Sequence, residues 1–376
     1  MTTIDRYLIA LFFKVVVITF ISLAGLYVVI DVMGNLDELS SHGSRSGYLA
    51  VMIDYYGPRV LQFFDKTAGI IALLAVVFAI GMLQRRNELL AVMAAGISPA
   101  RVILPLLLAA GCISLLGVAN REFGLPRVRS SLARNWQDWA GEASRKCTPR
   151  YDIRTDVLIS AKSTRSKTRE LEQPQFRLPP EMSDWGRQIS AASAFQLPAS
   201  ADHPAGYLLK GVKQPARLSQ HASLRQDDRV VLYSPADTPW LAADECFVAS
   251  MVSFEQLAVG GNWKQYMSSW ELLSGLWSQT IEPGADVRVI LHARLLQPLI
   301  DGSLVLLGLP LVLARGGRNI FLAAGMCVVM VAGVYLVVLT CHGLGSNYLL
   351  DPRLATAIPL AVFGPIAYTL ARPIWD

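Results

Sequence analysis

The sequence predicts a membrane α-helical protein of six transmembrane helices, three and three, around an inserted periplasmic domain of β-jelly-roll-like type. Three observations carry that prediction. Of the 376 residues, 53% are hydrophobic, and the mean hydropathy is +0.39, well above a soluble chain of this size. The apolar residues gather into six stretches near 8–31, 61–83, 102–119, 295–314, 320–341 and 354–371, each close to the roughly 20 residues that a bilayer crossing needs. Between the third and fourth lies a polar block of about 170 residues, enough for a domain with its own core.

Taken in order, the first stretch is too long for a signal-peptide core and lacks a small-residue cleavage site, so it reads as retained. Lys14, two turns inside it, reads as a side chain that snorkels to the headgroups. The segment between spans one and two is net acidic, with Asp31, Asp37, Glu38, Asp54 and Asp65 set against Arg45, Arg59 and Lys66. Arginines gather at the other loops: Arg6 before span one, Arg85, Arg86 and Arg101 between two and three, Arg315 and Arg318 between four and five, Arg372 after six. The positive-inside rule then puts both termini in the cytoplasm and the large insert outside. The loop RRNELLAVMAAGIS at 85–98 keeps a helical pattern, with Glu88 and the small residues Ala91, Ala94, Ala95 and Gly96 at helical spacing. A membrane protein keeps such a pattern in a short inward loop when a soluble partner docks there. Pro105, Pro310, Pro359 and Pro365 lie within spans three, four and six, where kinks are the plain reading.

The expected domains are residues 1–120, 121–289 and 290–376. The insert begins with a polar helical lead-in, Arg121 to Ala143. From about 150 to 257, runs such as YDIRTDVLISAKS, RQISAASAFQL, GYLLKGVKQPARL, DRVVLYSP and ECFVASMVSF alternate partially between Pro, Gly, Asp and Ser clusters, a strand pattern of sandwich or jelly-roll type. The Pro- and charge-rich stretch Ser163 to Asp184 reads as a long loop. An amphipathic helix follows at 264–279, with Trp270, Leu273 and Trp277 on one side, suited to the bilayer surface.

Composition narrows the function. The net charge of +5 contains no basic run suited to nucleic acid. GxxxxGK[ST], HExxH and GxSxG do not occur, and the five histidines have no metal-ligand spacing. Catalysis by this chain alone is therefore not expected. Cys112, Cys327 and Cys341 read as packing residues of the spans. Cys147 and Cys246 share the insert, where a disulfide is chemically allowed and free thiols are the alternative. The two halves show no internal repeat of the kind secondary transporters carry.

Four segments, IDRY at 4–7, RNELLAVMAAGIS at 86–98, YMSSWELL at 266–273 and HARLLQPL at 292–299, together with the layout, resemble the LptF/LptG (YjgP/YjgQ) permease family. Its members are the membrane subunits of the bacterial lipopolysaccharide-exporting ABC transporter. The resemblance covers the whole chain, the insert matching in type rather than in residues. It implies an inner-membrane protein that pairs with a second such permease, is driven by a cytoplasmic LptB-like ATPase, and passes lipopolysaccharide to periplasmic LptC/LptA-like jelly-roll proteins. ATP would be bound by the ATPase subunit, with no cofactor in this chain, and membrane lipids would be the other contact. The resemblance makes 85–98 a coupling helix, with Glu88 as the docking residue and Arg86, Leu89, Met93 and Gly96 around it. A carboxylate at a helix start can take a bidentate arginine; the plainer alternative is that Glu88 only caps its own helix.

The resemblance also implies basic residues near the outer ends of the cavity-lining helices, where lipid phosphates arrive. Arg59 in GPRVLQFF stands at such a place, with an interfacial anchor as an equal alternative. Asp31 stands where one family branch would place a lysine, and Lys66 where a proline is common, with Asp65 or Asp31 as its expected partner. Asp301 is an intramembrane carboxylate, and a satisfied structural or cavity-facing role is favoured for it. These four are the candidate substrate contacts. Two other readings remain: an ABC permease of the four-span mechanotransmission type, and a non-transporting envelope scaffold or sensor.

Overall fold

The computed structural model describes residues 3–37, 39–40, 47–132, 144–166, 168–200, 203–226, 229–258, 260–277, 281, 283–313 and 320–372. Glu38, Arg45, Arg315 and Arg318 of the charge argument lie outside them, as does the 133–143 part of the lead-in. The chain divides into two compact units, Met1–Val128 with Pro283–Asp376, and Arg129–Glu282.

The first unit is helical throughout, as it must be where no water can satisfy a peptide group. Among the described residues, six helices are long and apolar enough to cross a membrane: α1 Thr3–Gly34, α2 Tyr48–Arg85, α4 Pro99–Leu132, α7 Ala285–Leu313, α8 Ile320–Ser346 and α9 Pro352–Ala371. A short α3, Glu88–Ala94, joins α2 to α4. Several helices outrun the apolar stretches. α2 begins at Tyr48 rather than near 61 and carries Pro58 inside it, with the Arg59 Nη1–H donating to the Tyr55 carbonyl one turn back at 3.0 Å. α4 continues past its apolar part through a π-helical turn, Asn120–Gly124, stitched to α2 by Asn120 Nδ2–H donating to the Leu61 carbonyl at 2.8 Å. The shared core takes Leu8 and Phe12 from α1, Ile71, Leu73 and Ile80 from α2, Ile103 and Leu106 from α4, and Leu304 and Leu309 from α7. Small residues let the helices close, as expected where lipid removes the usual apolar driving force. A Cβ on Gly308 would meet Leu73 at 2.3 Å, and one on Gly345 would meet Ala355 at 2.6 Å.

The described residues of the second unit form an antiparallel sheet of nine strands: β1 Arg145–Lys146, β2 Arg150–Asp152, β3 Val157–Arg165, β4 Glu170–Arg177, β5 Gln188–Leu197, β6 Gly206–Gln214, β7 Leu224–Gln226, β8 Arg229–Tyr233 and β9 Cys246–Ala249. Their order is β1-β3-β4-β5-β6-β9-β8-β7, with β2 also on β3. The expected long loop at 163–184 is corrected here, because β4 occupies its middle and pairs along its length with β3 and β5. Leu171, Pro174 and Phe176 are buried while polar and charged residues lie between them, and the Pro174 and charge content hid that alternation.

The sheet curls. In a flat sheet β2 and β9 would stand five strand steps, about 24 Å, apart. Instead Asp152 at the end of β2 accepts from Ser250 Oγ–H at 2.6 Å and Met251 N–H at 3.0 Å, just beyond β9. Nearby, Thr148 N–H donates to the Leu257 carbonyl at 2.9 Å, on α5, Phe254–Ala258. The curl wraps a core of Val157, Ile159, Phe176, Ile189, Tyr207 and Val248. Cys147 and Cys246 are both in it as free, buried thiols, and burial pushes the Cys246 thiol up to about 12. A last helix, α6 Ser269–Trp277, is closed at its start by a reciprocal cap, Glu271 N–H to Ser268 Oγ and Ser268 N–H to Glu271 Oε2, both 3.0 Å. Trp270 and Trp277 are exposed on it, ring centroids 6.3 Å apart.

Candidate functional site

Two polar regions of the helical unit hold most of the residues singled out from sequence. The first is the end where α1 starts, α2 stops and α4 starts. Asn87 takes a left-handed conformation at φ 56°, which asparagine tolerates, and breaks α2 from α3. Gly96 at φ 83° ends the turn after α3, and Pro99 opens α4 at a position where its missing N–H costs nothing. The helix between is therefore seven residues long, shorter than the 85–98 pattern suggested.

Glu88 leads it and is already engaged: its Oε2 accepts from Tyr7 Oη–H of α1 at 2.8 Å, and Oε1 lies 3.7 Å from Arg86 Nη1. Its side chain is 35% exposed. Leu89, expected to face a partner, is instead 7% exposed and belongs to the helical core. Leu90 takes the outward place at 67%, with Met93 at 40%, and Ala91, Ala94, Ala95 and Gly96 exposed beside them. Both faces of ELLAVMAAG are apolar or small, so periodicity could not say which leucine turns in. At the same end Arg101 Nη2 reaches Asp5 Oδ2 at 3.5 Å, Arg85 and Arg86 are exposed, and Gln84 Nε2–H donates to the Val312 carbonyl of α7 at 3.0 Å.

The second region lies toward the other ends of α1, α2 and α4. Asp31 accepts from Tyr56 Oη–H at 2.8 Å, and Asn35 Nδ2–H donates to the Asp31 carbonyl at 2.7 Å. Arg59 is 9% exposed, its guanidinium 3.3 Å from the Tyr55 ring centroid, a desolvated cation–π contact. Asp65 is held by Arg121 Nε at 2.7 Å. That corrects the expected partner of Lys66: Asp65 belongs to Arg121, and Lys66 is exposed with no ion pair among the described residues. Arg121 is the residue the sequence reading missed, and the only signal was its place just past an apolar span.

Asp301 is 5% exposed, where α2, α4 and α7 cross. It accepts from Ser114 Oγ–H at 2.8 Å and from Gln297 Nε2–H at 2.9 Å, and it borders a mostly apolar cavity of about 220 Å³ with Gly111, Pro298 and Gly302. Both carboxylate oxygens accept from side chains of the same unit. A separate cavity of about 310 Å³ in the sheet unit touches Arg129, Glu255, Trp263, Tyr266 and Glu271. Its charges are internally matched, Arg129 with Glu271 at 3.4 Å and Arg169 with Glu255 at 3.1 Å. Among the described residues no three metal-ligating side chains come together.

A search of curated proteins returned no match. The family model described as lipopolysaccharide export system permease LptF/LptG matches residues 6–178 and 180–373. With six apolar helices and an antiparallel sheet between the third and fourth, the chain belongs to the LptF/LptG lipopolysaccharide export permease family.

Proposed function

We propose that this chain is one of two permease subunits of an ATP-driven lipopolysaccharide extractor, and that the outward face of α3 is where a cytoplasmic LptB-like ATPase grips it. The family gives the coarse part directly: a transport subunit of the inner membrane, multi-pass, rather than an enzyme with a catalytic site of its own. The finer reading rests chiefly on one observation. Leu90 and Met93 stand exposed next to Glu88 on a helix that is otherwise pinned to its own protein. An apolar pair beside a carboxylate suits a partner surface carrying an arginine within an apolar groove.

In this reading the arginine-rich end is cytoplasmic and the sheet unit periplasmic, where it hands lipid to LptC/LptA-like jelly-roll proteins. A second LptF/LptG-type permease completes the cavity, and nucleotide stays on the ATPase. Lys66, exposed and unmatched in charge among the described residues, is the best placed of the basic candidates to meet a lipid phosphate. Arg59 and Asp31 act as a packed outer clasp, and Asp301 holds three helices together.

The test is co-purification of the ATPase subunit with the permease pair. Glu88→Arg should weaken docking by about 2 kcal/mol or more, roughly thirtyfold in affinity. Leu90→Asp, at a side chain 67% exposed, should do the same. Full recovery of the ATPase with both variants would refute α3 as the docking element.

A further inference from the structure

The span that packs least against its own protein is α1, with 17% of its apolar window buried, against 67% for α2. Its outward face carries Phe13, Val17, Ile18, Ile21, Val29 and Ile30. Its inner side packs through Val15, Val16 and Phe20, and both ends are gripped by polar contacts. At the start, Tyr7 Oη donates to Glu88 at 2.8 Å and Asp5, 8% exposed, lies 3.5 Å from Arg101. Leu8 and Phe12, one and two turns on, share the core with the inward Leu89 of α3. At the finish, Asp31 accepts from Tyr56 at 2.8 Å, while Tyr27 stacks on Phe63 with centroids 5.4 Å apart. The two grips are 24 residues apart, about 36 Å along a helix, and α1 has no proline between them.

We infer that α1 is a transmission rod, and that Tyr7 and Asp5 are positioning residues that pass displacement of α3 to the Asp31–Tyr56 end of the membrane unit. This rests on the reading of α3 as the ATPase-docking element and extends it. A displaced α3 carries Glu88 and Leu89 with it. Glu88 pulls on Tyr7, and Arg101, just after α3, pulls on Asp5, so the first two turns of α1 follow. A continuous helix resists bending over this length, while its exposed flank meets only lipid or a partner's surface and offers little rigid resistance. The far end therefore shifts against α2, where the Asp31–Tyr56 hydrogen bond can break and re-form.

The experiment uses the assembled transporter in proteoliposomes and reads lipid extracted per ATP hydrolysed. Tyr7→Phe with Asp5→Asn removes one donor and one charge and leaves the Leu8–Phe12 packing in place. The inference expects the ATPase to co-purify in full while lipid extracted per ATP falls about fivefold. It also expects the charge reversal Asp5→Arg with Arg101→Asp to recover more than half the yield that Asp5→Arg alone loses. Recovery points to the ion pair itself, which general damage to α1 would not reproduce.

Normal lipid yield per ATP in the Tyr7→Phe, Asp5→Asn double variant would overturn the rod while leaving the docking assignment intact. If the wild-type permease recruits no ATPase, the docking assignment fails and the rod with it. Should the double variant assemble poorly, Tyr7→Phe alone decides, since it deletes one exposed hydroxyl: a yield unchanged from wild type overturns the inference, and a drop of about twofold supports it.

Discussion

At Gly69 a Cβ would lie 2.4 Å from Asp301 Oδ1 and 2.7 Å from its carboxyl carbon. Alanine there cannot coexist with the carboxylate as Ser114 and Gln297 hold it. Gly69→Ala should therefore destabilise the detergent-solubilised protein by about 2 kcal/mol, read as a fall in melting temperature. Shortening the obstacle with Asp301→Ala should make the same glycine change nearly neutral, a non-additivity that a double-mutant cycle detects. Independent, additive losses would show that the two residues do not share this crossing. The half-buried Asp65–Arg121 pair joins α2 to α4 in the same unit, with side chains 13% and 15% exposed. Neither pairing could be read from the sequence, because partners 56 and 187 residues apart leave no local periodicity. What the residues did announce was the anomaly itself: an acid inside an apolar run demands a partner.

At the scale of elements, the closure of the sheet at Asp152 concentrates several donors on one carboxylate. Besides Ser250 and Met251, Arg154 N–H donates to its Oδ1 at 3.0 Å. Asp152→Ala would leave these donors unsatisfied in a buried place, a loss of about 2–4 kcal/mol. Hydrogen exchange on the whole chain should then speed up in β2 and β9 while the membrane helices stay protected; unchanged protection in β9 would mean the curl is held elsewhere. Most elements were visible beforehand for a physical reason. Spans announce themselves by unbroken apolar length, and strands β3, β5, β6, β8 and β9 by β-branched or aromatic runs between turn residues. Those that were not visible share a different one. β4 carries its polarity on an exposed face and a proline, Pro174, among its buried residues, and α3 is bounded by backbone conformations at Asn87 and Gly96 that hydrophobic patterning does not encode.

For the whole molecule, the proposed topology puts α3 inside the cell and the sheet unit outside, supported by the arginines of the short loops. Single cysteines introduced at Leu90 and at Arg187, both exposed, should distinguish the two sides in a background lacking the native thiols. A membrane-impermeant maleimide should modify the Arg187 position from the periplasmic face and the Leu90 position only in inverted vesicles. Labelling in the opposite sense would reverse the orientation on which the docking proposal stands. The brevity of α3 has one more consequence. Seven residues do not sustain a helix in water, so its shape is borrowed from Tyr7, the Leu89 pocket and the flanking turns. A free peptide copied from 85–98 has the same letters without that scaffold, and it makes a poor decoy; an inhibitor of this contact would have to be stapled or cyclised into the bound form first.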